Sequence, residues 1–237
     1  MNRQAQAAVL FLLGAALLHA GLTDLYLRYV KAGLRPLVLA SGVVLIAAAL
    51  ATAWYERKQA KAGEHRGHHH EPRVSWLLVL PLFALILVAP PALGSYSAMR
   101  AGTALQQPYG YDDLPAAGPL RLSLVDYAGR AVYDHGRSLG DREVKLTGFV
   151  ALDRSGTPYL VRMALSCCAA DAQPVKVGLT GRIPPVLQPD TWLEITGTYT
   201  ARQAKDPVND GPIPFIEVSG AAPVQEPHDP YDETWNT

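Results

Sequence analysis

The chain has 237 residues with 21 basic and 21 acidic side chains, and so no net charge. That balance, with no basic patch interleaved with aromatic residues, argues against a nucleic-acid-binding role. The hydrophobic content of 49% is unevenly placed: residues 1–95 are rich in Ala, Leu and Val, and residues 96–237 have the Gly, Pro and Thr content of a soluble domain.

Three apolar runs approach the ~20 residues that cross a bilayer as a helix. They cover residues 7–27, 36–55 and 74–93, and together define a membrane domain over residues 1–95. The first is too long for a signal peptide and lacks a small-residue cleavage site before the second, so it is read as a retained helix. Trp54, Tyr55 and Trp76 fall at predicted helix ends, where amphipathic rings favour the lipid–water interface. Arg57, Lys58, Lys61, Arg66 and Arg73 lie between spans two and three, against Arg28, Lys31 and Arg35 between spans one and two. The positive-inside rule then predicts a plasma-membrane protein with a cytoplasmic N-terminus and an extracytoplasmic C-terminal domain.

Two ionisable residues fall in the first span, His19 and Asp24. Five residues of helix place them about 140° apart, so they are not one constellation. Asp24 shares a helical face with Arg28 and reads as an interfacial ion pair. His19 lies deeper, where contact with a partner subunit competes with an ordinary helix–helix hydrogen bond. The second connector carries His65, His68, His69 and His70. Imidazoles at this density bind borderline-soft divalent ions such as zinc, although a solvated connector would tolerate the same residues.

Residues 96–119 lack periodicity and read as a linker. Residues 125–134 suggest an amphipathic helix, after which the pattern becomes β. The strands are "REVKLTGFVAL", "PYLVRMALSCC", "VKVGLTG", "DTWLEITGTYTA" and "PFIEVSG". Five short strands with glycines near their ends fit a small OB-like barrel over residues 120–224 better than a sandwich, which takes about seven. Residues 225–237 form a polar, Pro-containing tail.

The two cysteines, Cys167 and Cys168, are adjacent in "RMALSCCAADA". On a continued strand Val161, Met163, Leu165 and Cys167 would line the core face, and Arg162, Ala164, Ser166 and Cys168 the other. The expectation is then a buried Cys167 and an outward Cys168. Joint ligation of one metal requires the strand to break, and Asp171 and Pro174 are suited to a turn there. Three readings stay open: packing and turn structure, a metal or thiol site using Cys168 with Asp171, and a disulfide or redox pair. There is no Cys-x-x-Cys, phosphate loop or His-Glu-x-x-His, so no enzyme is indicated.

The early membrane His-Ala-Gly, the His-rich connector, "LTGFV", "SCCAADA", "DTWLEITGTY" and a Pro-Tyr near the end together resemble the YcgQ-type family. These are bacterial membrane proteins described as permease subunits, with a soluble part of unknown function. The resemblance covers most of the chain, and Cys-Cys-x-x-Asp-Ala is its most specific part. It implies a larger multi-spanning permease as partner and a setting linked to zinc, without naming a reaction. The expected architecture is therefore membrane α plus all-β: three transmembrane helices followed by a small OB-like β-barrel domain. The expected role is a non-catalytic accessory subunit for divalent metal ions or a metal-linked solute, embedded in the lipid bilayer. The alternative is a stand-alone membrane-anchored thiol-redox or metal-binding protein. The motif residues for either are Arg162, Cys167, Cys168 and Asp171.

Overall fold

The structure is a computed structural model and describes residues 3–61, 79–88 and 91–233. It divides into two compact units, one formed by residues 1–26 and 32–91, the other by residues 27–31 and 92–237.

In the first unit, helices α1 (Arg3–Leu22) and α2 (Arg35–Lys61) pack side by side. Both contain stretches long and apolar enough to cross a membrane. Their backbones approach through glycine: a Cβ on Gly14 would lie 2.7 Å from Ile46 and 2.8 Å from the Gly42 carbonyl oxygen. Gly21 makes the same allowance for Leu39. Such small-residue contacts let helices gain van der Waals packing where lipid offers no hydrophobic driving force. These glycines serve the contact between α1 and α2. The outward faces carry Leu37, Val44, Leu50 and Trp54, all well exposed, which suits contact with lipid. Of the third predicted span, the described part is helix α3 (Val79–Leu87); residues 74–78 and 89–90 lie outside the described residues.

The first helix is shorter than its apolar run. It ends at Leu22, and Asp24–Arg28 is a 3-10 turn. Asp24 and Arg28, predicted to share a face of an α-helix, thus lie at the two ends of a 3-10 turn. The turn follows from local bonds: the Thr23 hydroxyl donates to the His19 carbonyl at 2.8 Å, and Arg35 Nε donates to the Gly21 carbonyl at 2.9 Å. His19 itself is exposed on α1.

The second unit is a five-stranded barrel with additions. After a one-turn helix, α4 (Ser95–Ala98), come β1 (Leu120–Arg121), α5 (Leu124–Tyr133), β2 (Val144–Leu152), β3 (Pro158–Leu165), β4 (Gln173–Gly181), β5 (Trp192–Lys205), β6 (Pro212–Pro223) and β7 (Tyr231–Glu233). Antiparallel pairs β2–β3, β3–β4, β2–β5 and β5–β6, with a parallel pair β4–β6, close the barrel. β2 changes partner along its length, pairing with β5 from Val144 to Phe149 and with β3 from Phe149 to Leu152. Gly148 stands at that bend, where a Cβ would meet the Val161 carbonyl oxygen at 2.7 Å.

The interior holds Leu146, Val150, Leu160, Val177, Ile195 and Ile216, all fully buried. Helix α5 closes the barrel, with Tyr127 donating to the Phe215 carbonyl at 2.7 Å. Its N-terminus is capped twice, by Ser123 Oγ on the Asp126 N–H and by the Asp232 carboxylate on the Leu124 N–H. The predicted linker lies along this unit rather than free of it. Thr103 and Leu105 are buried, and the fully buried pair Lys176–Asp206 (2.7 Å) also binds the Ala101 carbonyl and the Thr103 N–H.

A second apolar cluster covers the outside of β3: Val161, Met163, Leu165, Phe149, Ile213 and Tyr231. β3 is thus buried on both faces, and the predicted assignment inverts. The barrel interior takes Leu160 and Ala164, and Val161, Met163 and Leu165 form the outer layer. Alternation identified the two faces but could not tell which one looked inward, because β7 and residues 92–99 cover the outer one. The polar tail supplies that cover through β7, which runs parallel to β3.

Candidate functional site

β3 stops at Leu165 because the next three backbone donors leave the sheet. Asp171 Oδ1 accepts the Ser166 N–H at 2.9 Å, and its Oδ2 accepts those of Cys167 at 2.9 Å and Cys168 at 3.2 Å. The Asp171 N–H returns to the Cys168 carbonyl at 3.0 Å and closes a turn. This is an aspartate outcompeting the ladder for main-chain donors.

The cysteines therefore lie on a turn, not on a strand, and the predicted burial is reversed. Cys167 is exposed and Cys168 is half-buried. Both thiols are free, and one ligand atom from each cysteine and from Asp171 all lie within 4.8 Å of one another. The predicted pairing of Cys168 with Asp171 is present, and Cys167 joins it once the strand no longer forces the pair apart.

The electrostatics of the turn are coupled through one proton. Cys167 Sγ donates to Asp171 Oδ2 at 2.9 Å, and that bond to a carboxylate pushes the Cys167 thiol up to about 12. For Asp171, partial burial opposes ionisation, but the Cys167 thiol and the three backbone N–H groups outweigh it and hold the carboxyl below its usual value. At neutral pH the site is an ionised carboxylate holding a protonated thiol.

A metal ion would take the place of that proton. Zinc ligated by thiolate at ~2.3 Å and carboxylate at ~2.0 Å in tetrahedral geometry separates S and O by about 3.5 Å. The observed 2.9 Å needs only a modest opening of an exposed turn. Two sulfurs and one carboxylate suit borderline-soft ions rather than magnesium or calcium, and leave a fourth position open. His65, His68, His69 and His70 lie outside the described residues.

The turn is held from the other side by residues 27–31, the segment that follows α1. Val30 forms an antiparallel bridge with Cys168: the Lys31 N–H donates to the Cys167 carbonyl at 3.1 Å, and the Ala169 N–H to the Tyr29 carbonyl at 2.8 Å. Lys31 Nζ also pairs with Glu233 at 2.9 Å. Beside this, the Tyr231 hydroxyl donates to the Arg28 carbonyl at 3.1 Å and accepts the Leu93 N–H at 3.2 Å. These residues have no signature in the sequence beyond the Pro-Tyr of the tail.

Arg162 belongs to a different structure. It is buried, pairs with Asp232 at 3.1 Å, donates to the carbonyls of Asp229 and Tyr231, and lies 5.0 Å over the Trp192 ring. Burial raises the Asp232 carboxyl, and Arg162 with two backbone N–H groups opposes that shift. This ion pair joins the tail to β3 and to the start of α5; it is a scaffold for the turn and not part of the donor set.

No curated protein and no solved structure matches the chain. Residues 124–232, from the start of α5 to Asp232, match the family model of the DUF1980 C-terminal domain.

Proposed function

We propose that this chain is a non-catalytic accessory subunit of a membrane permease for divalent metal ions or a metal-linked solute, of the YcgQ type. Three transmembrane helices carry an extracytoplasmic, OB-like domain. The observation that carries the metal assignment is the convergence of Cys167, Cys168 and Asp171 on one exposed turn. A pair of free thiols, one of them exposed, is unusual in an oxidising compartment, and a bound metal would protect it.

Two further observations support the setting. The five-stranded barrel, with its parallel contact between the third and fifth barrel strands, supports the OB-like reading. The Tyr231 hydroxyl binds both Arg28, after α1, and Leu93, after α3. If α1 and α2 both cross, residues 27–31 and the barrel share one side of the membrane. The chain between Lys61 and Ala92 must then cross once more, which favours a third span through α3. The basic second connector favours the cytoplasmic side for that loop.

The test is purification of the full-length protein from native membranes, with measurement of bound metal and of accompanying proteins. The expected result is a larger permease subunit and near-stoichiometric zinc that is lost in the Cys168→Ser/Asp171→Ala double variant. A metal-loaded chain with no partner would favour the stand-alone metal-binding reading, which the self-contained donor set also suits. Transport and metal sensitivity unchanged in the double variant would refute the role of the turn.

A further inference from the structure

The barrel carries a second feature that the thiol turn does not use. Between the β2–β3 hairpin and the β5–β6 hairpin lies an open cleft of about 690 Å³, walled on its third side by α4 and the turn after it. Its apolar surface comes from Leu152, Pro189 and Val208, and its polar edge from Arg100 and Arg154. The volume falls in the range of small-ligand sites, ~300–1,000 Å³. The two hairpins flanking it are those that border the ligand face of OB-like barrels.

The charges in this cleft are not self-satisfied. The Arg100 guanidinium stacks over the Tyr96 ring at 4.2 Å, and neither it nor Arg154 pairs with a carboxylate among the described residues. The carboxylate on the lining, Asp153, is engaged by the backbone N–H groups of Ser155 and Thr157 and by the Ser155 hydroxyl. Asp190, at the same wall, accepts the Ser95 N–H at 2.6 Å and hydroxyl at 2.9 Å, so both carboxylates at the cleft are engaged by neutral donors and the two guanidiniums are left for an anion. Guanidinium forks match the oxygens of a phosphate, and stacking on Tyr96 pre-orients one of them.

The occupant is narrowed by what precedes the cleft. Its wall begins at Ser95, eight residues along the chain from the last residue of the apolar helix α3, Leu87. Tyr96 is 70% exposed and, beside Arg100, provides the aromatic–basic pair that favours a lipid headgroup region. We infer that this cleft binds the phosphate headgroup of an anionic membrane lipid, with Arg100 and Arg154 on the phosphate and Leu152, Pro189 and Val208 against its glycerol portion. This inference rests on the membrane-anchored reading but not on metal binding at the thiol turn.

The test uses the full-length protein in a neutral maltoside detergent, titrated calorimetrically with dihexanoyl phosphatidic acid, dihexanoyl phosphatidylcholine and inorganic phosphate. Saturable binding of phosphatidic acid, weakened about ten-fold or more in Arg100→Gln/Arg154→Gln, is expected, since each charge-assisted hydrogen bond contributes a large share of such affinity. Both arginines are exposed, so the double variant should keep the parent's thermal midpoint. Cys168→Ser should bind phosphatidic acid like the parent, which separates this site from the metal reading. Equal binding of phosphatidylcholine, inorganic phosphate binding as tightly as the lipid, or no loss in the arginine variant would each overturn the assignment.

Discussion

Asp171→Asn should convert Cys167 from an inert thiol to a reactive one. In the folded turn the thiol donates a hydrogen bond to an ionised carboxylate, and losing its proton would place two negative charges 2.9 Å apart. The thiol is therefore pushed from its ordinary 9.0 up to about 12. Three pH units correspond to roughly a thousand-fold less thiolate at any pH below 9, and the thiolate is the reactive form. Asparagine keeps the shape of the side chain but removes the charge, so the thiolate fraction should return toward the ordinary value. The turn is solvated, and water screens part of the effect, so the expected rise in alkylation rate at pH 8 is at least ten-fold. The assay is the pH dependence of iodoacetamide labelling between pH 6 and 11, read by mass spectrometry in a Cys168→Ser background. An Asp171-containing protein whose Cys167 labels with a midpoint below 9, or a rate indifferent to Asp171→Asn, would refute the proton-sharing account.

Other expectations are independent of that assay. If metal replaces the Cys167 thiol proton, that proton is released while Asp171 is held ionised, so log affinity for zinc should rise by at least about 1 per pH unit between pH 6 and 8 in chelator competition. Asp232→Ala leaves Arg162 buried without its carboxylate and should cost about 3–5 kcal/mol, measured by thermal unfolding of the full chain. In acid, the two aspartates act oppositely. The depressed Asp171 carboxyl contributes stability above its unfolded value, near 3.8, and loses it as pH falls through its lower folded value. The gap in melting temperature between parent and Asp171→Ala should therefore close below pH 4. The raised Asp232 carboxyl has the opposite sign: its protonation favours the folded state, so it does not drive acid unfolding. Gly42→Leu should part α1 from α2, since even a Cβ there meets Leu18 at 2.9 Å, and should abolish cross-linking between cysteines placed along the two helices.

Much of the barrel could be read from the sequence because its strands announce themselves locally. The β-rich windows became β2 to β6, and residues 125–134 became α5, one residue out of register at each end. What could not be read depends on distant chain. β3 alternates, but its outer face is covered by residues 92–99 and by β7 from the tail, and no window around residue 161 contains either. The linker and tail lacked periodicity because their order comes from docking: Thr103 and Leu105 against the barrel, Tyr231 against Arg28 and Leu93. The apolar run of the first span also overstated its helix, since hydropathy cannot register the Thr23 and Arg35 bonds that end it.

The cysteine turn shows why this matters for function. Strand alternation would separate two adjacent side chains, and by that rule Cys167 and Cys168 could never serve one ion. The rule fails because a single carboxylate four residues on outbids the sheet. Asp171 removes three consecutive N–H groups from the ladder and turns the chain back on itself, which brings both sulfurs round to its own side. The same atom, Oδ2, then shares the Cys167 proton. Structure and chemistry at this turn are therefore not separable. A substitution at Asp171 that abolished metal binding could act by deleting a ligand or by restoring the strand, and those outcomes differ in one observable. Deleting a ligand leaves the Val30–Cys168 bridge in place, whereas strand continuation turns the Cys167 carbonyl away from the Lys31 N–H. Hydrogen exchange at Lys31 distinguishes them: Asp171→Ser, whose hydroxyl still accepts from the turn, should keep that amide protected while zinc affinity falls. An amide that exchanged freely in Asp171→Ser would mean that the carboxylate's first role is to shape the turn.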